Sequence, residues 1–428
     1  MIVGNWNQQF VKVLNLNKIL NQLRMSDVTS RVELSKRLNL SKSTITSLIS
    51  LLIESGCVEE VGRMESALGR RLTSLRLKAS WKHVLVIHFD TPAFHLAILD
   101  LKGTIICERR LFFDEHQQEV TWHFISELMK KSAEALCLDA NLNWASDIIG
   151  ISIAIPGIID SHAGKAWSRI IMNHSGVSIQ ELLMNTFKKR VLVDNDVRAL
   201  SMALGREAGD ETSDMVTLLV SKGVGAGIIS NGKLVRGGVL GAGQIGHIKV
   251  SEEGPLCHCG QRGCLESFVA NDAVIRTFSG LCKENPDLEK RALKLLSKSV
   301  LDQIEIKDIG ILANLNVKEA LEIIDGISIN LAKVLHSIVQ MLNPSKILLA
   351  GPLFDEVAHL MIPKIIQKIG QLTQAYLSAN THFQVITNYE EQIISGIANF
   401  ILDEVYAPPI YRESGEQEIT LTDFMSNI

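Results

Sequence analysis

The chain has 428 residues, of which 46% are hydrophobic and 21% charged, with a net charge of −4. That length suggests two or three domains and that balance ample core material, which excludes a mainly disordered or fibrous chain. The longest apolar stretch, Ile148 to Ile159, is broken by Gly150, Ser152, Pro156 and Gly157 and falls short of the ~20 residues a spanning helix needs, so no membrane insertion is expected. The start, Met1 to Asn7, lacks the basic and apolar regions of a signal peptide, and a cytoplasmic location is expected. Charge is unevenly spread: residues 1–80 hold 12 Lys and Arg against 6 Asp and Glu, and the remaining 348 hold 31 against 41. A basic head on an acidic body suits contact with a polyanion.

The head shows three short helical patterns. The first runs from about Asn17 to Arg24, with Ile19, Leu20 and Leu23 on one face. The second opens at Ser30-Arg-Val-Glu33, a capping-box pattern, and continues to Leu38. After the turn at Asn39-Leu40, Ser41 caps a third helix whose Ile45, Leu48, Ile49, Leu52 and Ile53 repeat at helical spacing. Its other face is small and polar: Lys42, Ser43, Thr44, Thr46, Ser47 and Ser50. Nothing bulky there blocks entry into a major groove, and Ser41, Lys42, Ser43, Thr44 and Thr46 could meet phosphates and base edges. An ordinary solvated helix face is the alternative. Two short strand patterns, Cys57–Val61 and Thr73–Leu77, flank a loop carrying Arg70 and Arg71, as a wing touching phosphate would. Residues 1–80 are expected to form a winged helix-turn-helix.

From Trp81 strands alternate with helices. Strand patterns fall at His83–Phe89, Phe94–Asp100, Thr104–Phe112, Ile148–Pro156, Val191–Val193, Val216–Val220 and Ile347–Leu349, with a helix at Val120–Cys137. An open sheet covered by helices, in two lobes with a cleft between them, is expected; no internal repeat stands out.

Four segments of this body carry chemistry. Gly223 to Gly227 is either a phosphate cradle or a glycine-rich hairpin. Asp196, ending the run Val193-Asp-Asn-Asp, is either a base or acceptor for a hydroxylated ligand or a carboxylate capping the next helix. Three of seven cysteines, Cys257, Cys259 and Cys264, lie within eight residues; with an imidazole they make a closed structural zinc set. The fourth ligand is His247 or His258. Glu266, two residues beyond Cys264, could reach a ligand held beside that knuckle.

Together these segments resemble the ROK family of repressors and sugar kinases over nearly the whole chain. The resemblance rests on Val220-Ser-Lys-Gly-Val-Gly-Ala-Gly-Ile through Gly237, Gly243 and Gly246-His247, and on Cys257-His-Cys-Gly-Gln-Arg-Gly-Cys264-Leu-Glu266. The head, through Asn7-Gln-Gln-Phe-Val-Lys-Val-Leu-Asn15, Ser30 to Ser35, Ser41 to Thr44 and Gly69-Arg-Arg71, is similar to the xylose-repressor and N-acetylglucosamine-repressor branch. The fold so implied is α/β: a winged helix-turn-helix at 1–80, then a two-lobed actin-like, ribonuclease-H-like sugar-kinase fold. Its first lobe would span 81–197, completed by a C-terminal helix at about 390–406, and its second 198–389. Residues 407–428 are a tail without a motif. The resemblance makes His247 the fourth zinc ligand, with Cys257, Cys259 and Cys264. It assigns sugar contacts to Asn195, Asp196, Gln244, His247 and Glu266, with Asn173 a weaker candidate. Asp196 matches the kinases' base.

Departures from the kinases are equally informative. Their Asp-x-Gly-Gly-Thr phosphate loop is here His88-Phe-Asp-Thr-Pro92, Lys222 stands where they have Thr, and Ala350-Gly-Pro352 replaces a Gly-Gly pair. Few free N–H groups remain for phosphate, and no catalysis is expected, a ROK sugar kinase with a DNA-binding head being the alternative. Gln244 replaces the usual sugar-contacting glutamate. The expected protein is a sugar-responsive repressor that binds operator DNA as a homodimer, with pairing of dimers into tetramers left open. A carbohydrate or sugar-phosphate effector in the cleft would change operator affinity. Control by a partner protein is the other alternative.

Overall fold

A computed structural model describes residues 8–65, 71–90, 92–113, 121–168, 174–209 and 214–407. The head consists of α1 (Gln8–Arg24), β1 (Thr29–Ser30), α2 (Arg31–Leu38), α3 (Lys42–Glu54), β2 (Val58–Glu65) and β3 (Arg71–Leu77). Helix α1 begins well before the expected Asn17, because Phe10 and Leu16 extend its buried face. The Ser30–Glu33 capping box forms as the sequence suggests, and Asn39 ends α2 at φ 52°, in the left-handed region. Ser41 caps α3 through the Thr44 N–H, and Ile45, Leu48, Ile49 and Leu52 bury its inner face. Strands β2 and β3 form an antiparallel hairpin that β1 extends to three strands.

The body begins with β4 (His83–Asp90), β5 (Ala93–Asp100) and β6 (Ile105–Phe112), then α4 (Trp122–Asp139), α5 (Trp144–Asp147) and β7 (Ile148–Ile155). A small sheet of β8 (Ile158–Asp160), β9 (Lys165–Ser168) and β10 (His174–Ser178) follows, then α6 (Ile179–Phe187), β11 (Val191–Asn195) and α7 (Asp196–Ala208). Beyond α7 lie β12 (Met215–Val220), β13 (Val224–Ser230), β14 (Lys233–Leu234), α8 (Glu266–Val269), α9 (Asn271–Glu284), α10 (Pro286–Leu296) and α11 (Ile306–Asn314). The described residues end with α12 (Lys318–Leu342), β15 (Lys346–Ala350), α13 (Pro352–Leu372), α14 (Ala375–Ala379), β16 (His382–Ile386) and α15 (Tyr389–Val405). No helix among the described residues is long and apolar enough to cross a membrane.

Among the described residues the body holds two five-stranded sheets, ordered β11-β7-β4-β5-β6 and β14-β13-β12-β15-β16. Each is an antiparallel three-strand meander whose first strand pairs in parallel with the next, which pairs in parallel with a fifth. Both lobes therefore share one topology, although the sequence shows no repeat. Helices α7 and α15 pack on each other, α15 against β4 and β7 and α7 against β12 and β13. A boundary at 197 thus falls inside the first turn of α7, a helix that both lobes share. The glycines of 223–227 serve this layer: they open the β12–β13 hairpin, and a Cβ on Gly227 would lie 1.9 Å from Ser201 Oγ on α7.

The head is docked on this layer. One continuous set of buried side chains runs from Leu16, Ile19, Leu20 and Leu23 of α1 to Ile397, Leu402, Val405 and Tyr406 at the end of α15. Asn17 Nδ2 donates to the carbonyls of Tyr406 and Ala407 at 2.8 Å each, and Asn21 Nδ2 donates to Tyr406 O at 2.7 Å. The cap carbonyl at the end of α15 and the one after it are thereby satisfied from a helix nearly 400 residues away in sequence. Arg24 lies 4.6 Å above the Tyr406 ring and 3.6 Å from Asp403.

Candidate functional site

A cavity of about 420 Å³ opens between the lobes. Asn195, Asp196, Gln244, His247 and Glu266 all line it, so residues separated by up to 71 positions meet at one cleft. Asn195 ends β11 and caps α7: its Oδ1 accepts the Arg198 N–H at 3.2 Å and its Nδ2 donates to Gly157 O at 2.9 Å. Asp196 opens α7, and its Oδ1 accepts the Val197 N–H at 2.8 Å. Burial pushes its carboxyl up to about 6, and the nearby Asp90 charge adds to that rise. The cap is thus Asn195, and Asp196 faces the cleft. From the other lobe, Gln244 Nε2 donates to the same Gly157 carbonyl at 3.4 Å. Glu266 is held from both sides: its Oε2 accepts the Val224 N–H at 2.8 Å, and its Oε1 lies 3.0 Å from His258 Nδ1.

Sequence reading passed over three of the groups that brace this cleft, Asp194, Arg198 and Arg236. Asp194 is buried, paired with Arg198 at 3.0 Å and with Arg236 from the second lobe. Arg198 also donates to the carbonyls of Ile159 and Leu240. The only local sign was the i, i+4 spacing of Asp194 and Arg198. Within β4, two residues before its end, His88 is buried, and that burial lowers its imidazole to about 4, leaving it neutral at pH 7. Asp90, the last residue of β4, pairs with Lys222 of the β12–β13 turn at 3.2 Å, and both line the cleft.

The knuckle forms the adjoining wall. His247 Nδ1 lies 3.6 Å from Cys257 Sγ, Cys259 Sγ lies 3.7 Å from Cys264 Sγ, and all four donor atoms fall within 4.8 Å of one another. Sulfur and nitrogen ligands around tetrahedral zinc stand about 3.5–3.8 Å apart, so these residues can hold a metal ion. His258 Nδ1 lies 3.0 Å from Glu266 Oε1, and the donor atoms of His247, His258 and Glu266 form a second group within 4.8 Å of one another. None of the seven cysteines is in a disulfide. Burial pushes the Cys257 thiol up to about 12, so metal binding there would release a proton. The loop closes at Gly263, with φ +76° and Ser251 O 1.8 Å from where a Cβ would stand.

On the head, Lys42, Ser43, Thr46 and Ser47 are exposed on α3, with Thr44 half-buried. Ser41 Oγ lies 2.8 Å from the hydroxyls of Ser43 and Thr44, and Thr46 Oγ1 donates to Lys42 O at 2.8 Å. Arg70 and Asn173 lie outside the described residues, as does the side chain of Arg71, the first residue of β3.

Two lobes of like topology around a cleft, with a cysteine–histidine knuckle on one wall, define a body of the sugar-kinase type. The chain belongs to the ROK family, whose profile matches residues 90–403. It is similar to the N-acetylglucosamine repressor of Escherichia coli, at 29% identity over 388 residues, covering 89% of this chain and 90% of that protein. It is also similar to the xylose repressor of Caldicellulosiruptor bescii, at 25% identity over 416 residues, 95% of this chain and 99% of that one. In fold it matches a ROK family transcriptional regulator, a homologue of the E. coli MLC protein, with a TM-score of 0.73 at 20% identity over 91% of this chain and 95% of that one. A ROK family glucokinase from Streptomyces griseus, solved with glucose and AMPPNP, gives 0.61 at 20% identity over 74% of this chain and 98% of the kinase.

Proposed function

We propose that the protein is a sugar-responsive transcriptional repressor, with residues 1–80 as a winged helix-turn-helix and the remainder as its two-lobed effector domain. The carrying observation is α3, whose exposed first turns bear only Lys42, Ser43, Thr46 and Ser47 while its apolar face is buried. Such a helix enters a major groove readily, and the β2–β3 hairpin beside it, with Arg70 and Arg71, reaches the flanking backbone. The names of the repressor relatives support this reading. In a homodimer two heads would meet a pseudo-palindromic operator.

Asp196, Gln244, His247 and Glu266 hold the effector in the cleft, with Asn195 shaping the wall. The kinase alternative is disfavoured by the turn His88-Phe-Asp-Thr-Pro92 and by the Asp90–Lys222 pair, which spans the space that phosphate loops would enclose. We read the ion of the knuckle as zinc, held by His247, Cys257, Cys259 and Cys264 with no position open for substrate, and so structural. Its second effect is to orient His247 toward the cleft. Helix α15 supports coupling of cleft to head: Tyr389, Glu390 and Ile393 of its first turns line the cleft, and its last turn packs on α1 and pairs through Asp403 with Arg24. Seventeen residues of helix span about 25 Å. An effector moves the operator equilibrium only by differing in affinity for the two lobe arrangements.

The test is selection of operator fragments from genomic DNA with the full-length protein, followed by calorimetry with N-acetylglucosamine, glucose, xylose and the 6-phosphates of the two hexoses. A member that binds, changes operator affinity and loses both effects in Asp196→Ala is the expected result. ATP-dependent phosphorylation of any member in a coupled assay would overturn it in favour of the kinase. Operator binding that no sugar alters would favour control by a partner protein.

A further inference from the structure

Presupposing that the cleft is the effector site, its lining also states what kind of sugar fits. Trp167 of β9 is 40% exposed although it lines an interlobe cavity, and it stands in register with Ile158 of β8, another lining residue. A large flat ring left open beside amide and carboxylate groups is the surface on which the C–H face of a sugar ring packs, while the polar groups take its hydroxyls.

The charges around it are committed. Four carboxylates line the cleft, those of Asp90, Asp196, Glu266 and Glu390. The two basic side chains of the lining are already matched: the Lys222 ammonium is 3.2 Å from Asp90, and the Arg198 guanidinium is bound to Asp194 and to the carbonyls of Ile159 and Leu240. Arg110 reaches Glu390 at 3.1 Å, and His258 reaches Glu266 at 3.0 Å. A phosphate dianion entering here would have to break the Asp90–Lys222 pair and then lie between carboxylates, where like charges in a partly dry site repel strongly. Neutral hydroxyls meet no such obstacle, since each can donate to a carboxylate and accept from the Gln244 amide.

We propose that the cleft takes an uncharged monosaccharide with its apolar face on Trp167, and that it rejects the corresponding phosphate ester. The experiment is calorimetry and tryptophan-fluorescence titration of the full chain with N-acetylglucosamine, glucose, xylose, and the 6-phosphates of the two hexoses, in wild type, Trp167→Ala, Trp167→Phe and Lys222→Ala. Circular dichroism melts of each variant show that it is folded. Expected is a neutral sugar that binds wild type at least tenfold more tightly than its 6-phosphate, loses at least tenfold in Trp167→Ala, and recovers most of that in Trp167→Phe. A neutral sugar whose affinity is the same in folded Trp167→Ala overturns the stacking and leaves the effector cleft standing. A 6-phosphate that binds more tightly than its parent sugar and is lost in Lys222→Ala overturns the charge selection. Silence of every sugar in wild type overturns this inference and the effector reading together.

Discussion

Asp196 and the knuckle show how neighbours set the chemistry of single side chains. A carboxyl lifted from about 4 in the unfolded chain to about 6 by burial binds its proton more tightly when folded. The stability it favours is fully present below pH ~4 and is lost as pH rises through about 6. Asp196→Asn is therefore expected to be more stable than wild type by about 1–2 kcal/mol at pH 7.5, with the gap closing near pH 4. Thermal unfolding at both pH values checks this, and a gap independent of pH would contradict it. At the knuckle, one zinc per chain is expected by elemental analysis, falling close to none in Cys264→Ser. Because the knuckle borders the cleft and not the head, chelation should abolish sugar binding while operator binding persists. Loss of both at the same chelator concentration would show that the ion supports the whole fold.

Elements add the geometry that residues alone lack. Helix α3 joins a buried aliphatic stripe to a small polar face. In the proposed operator complex, Lys42 at the first turn would meet phosphate and the hydroxyls further along would meet bases. Lys42→Ala should weaken binding to all sequences alike and lower the slope of log affinity against log salt by about 1; a change in sequence preference instead would assign Lys42 to base contact. In the central layer, Gly227 brings β13 against Ser201 on α7. Gly227→Ala has to displace that helix, with an expected cost of about 1–3 kcal/mol, read as a lowered denaturation midpoint. A neutral result would mean that α7 shifts freely.

The whole molecule is joined by contacts between α1 and the residues that follow α15. Asn17 and Asn21 satisfy the carbonyls of Tyr406 and Ala407, just beyond α15, and leaving a buried carbonyl unpaired costs about 1–3 kcal/mol. The double variant Asn17→Leu with Asn21→Leu is expected to raise hydrogen exchange throughout α1 while the two five-stranded sheets keep their protection. Unchanged exchange in α1 would mean that apolar packing alone holds the head.

Much of this was legible in the sequence because it is local. The capping box at Ser30, the cap at Ser41, the helical spacing of α3 and the clustered cysteines are set within a few residues, where side-chain chemistry and backbone spacing act directly. The apolar runs His83–Phe89 and Ile148–Pro156 were readable for the same reason and match β4 and β7 to within one residue. Residue type alone left open which histidine joins the cysteines and whether 223–227 is a cradle or a hairpin, and those depend on what packs opposite. The tertiary structure alone decided the Arg236–Asp194 brace across 42 residues, the Lys222–Asp90 pair across 132, and the grip of Asn17 on Tyr406 across 389. It also decided the common topology of the lobes and the exposure of Trp167 in their cleft. Such contacts carry no periodicity along the chain, because they arise where two separately folded surfaces meet and their partners are fixed by packing, not by spacing.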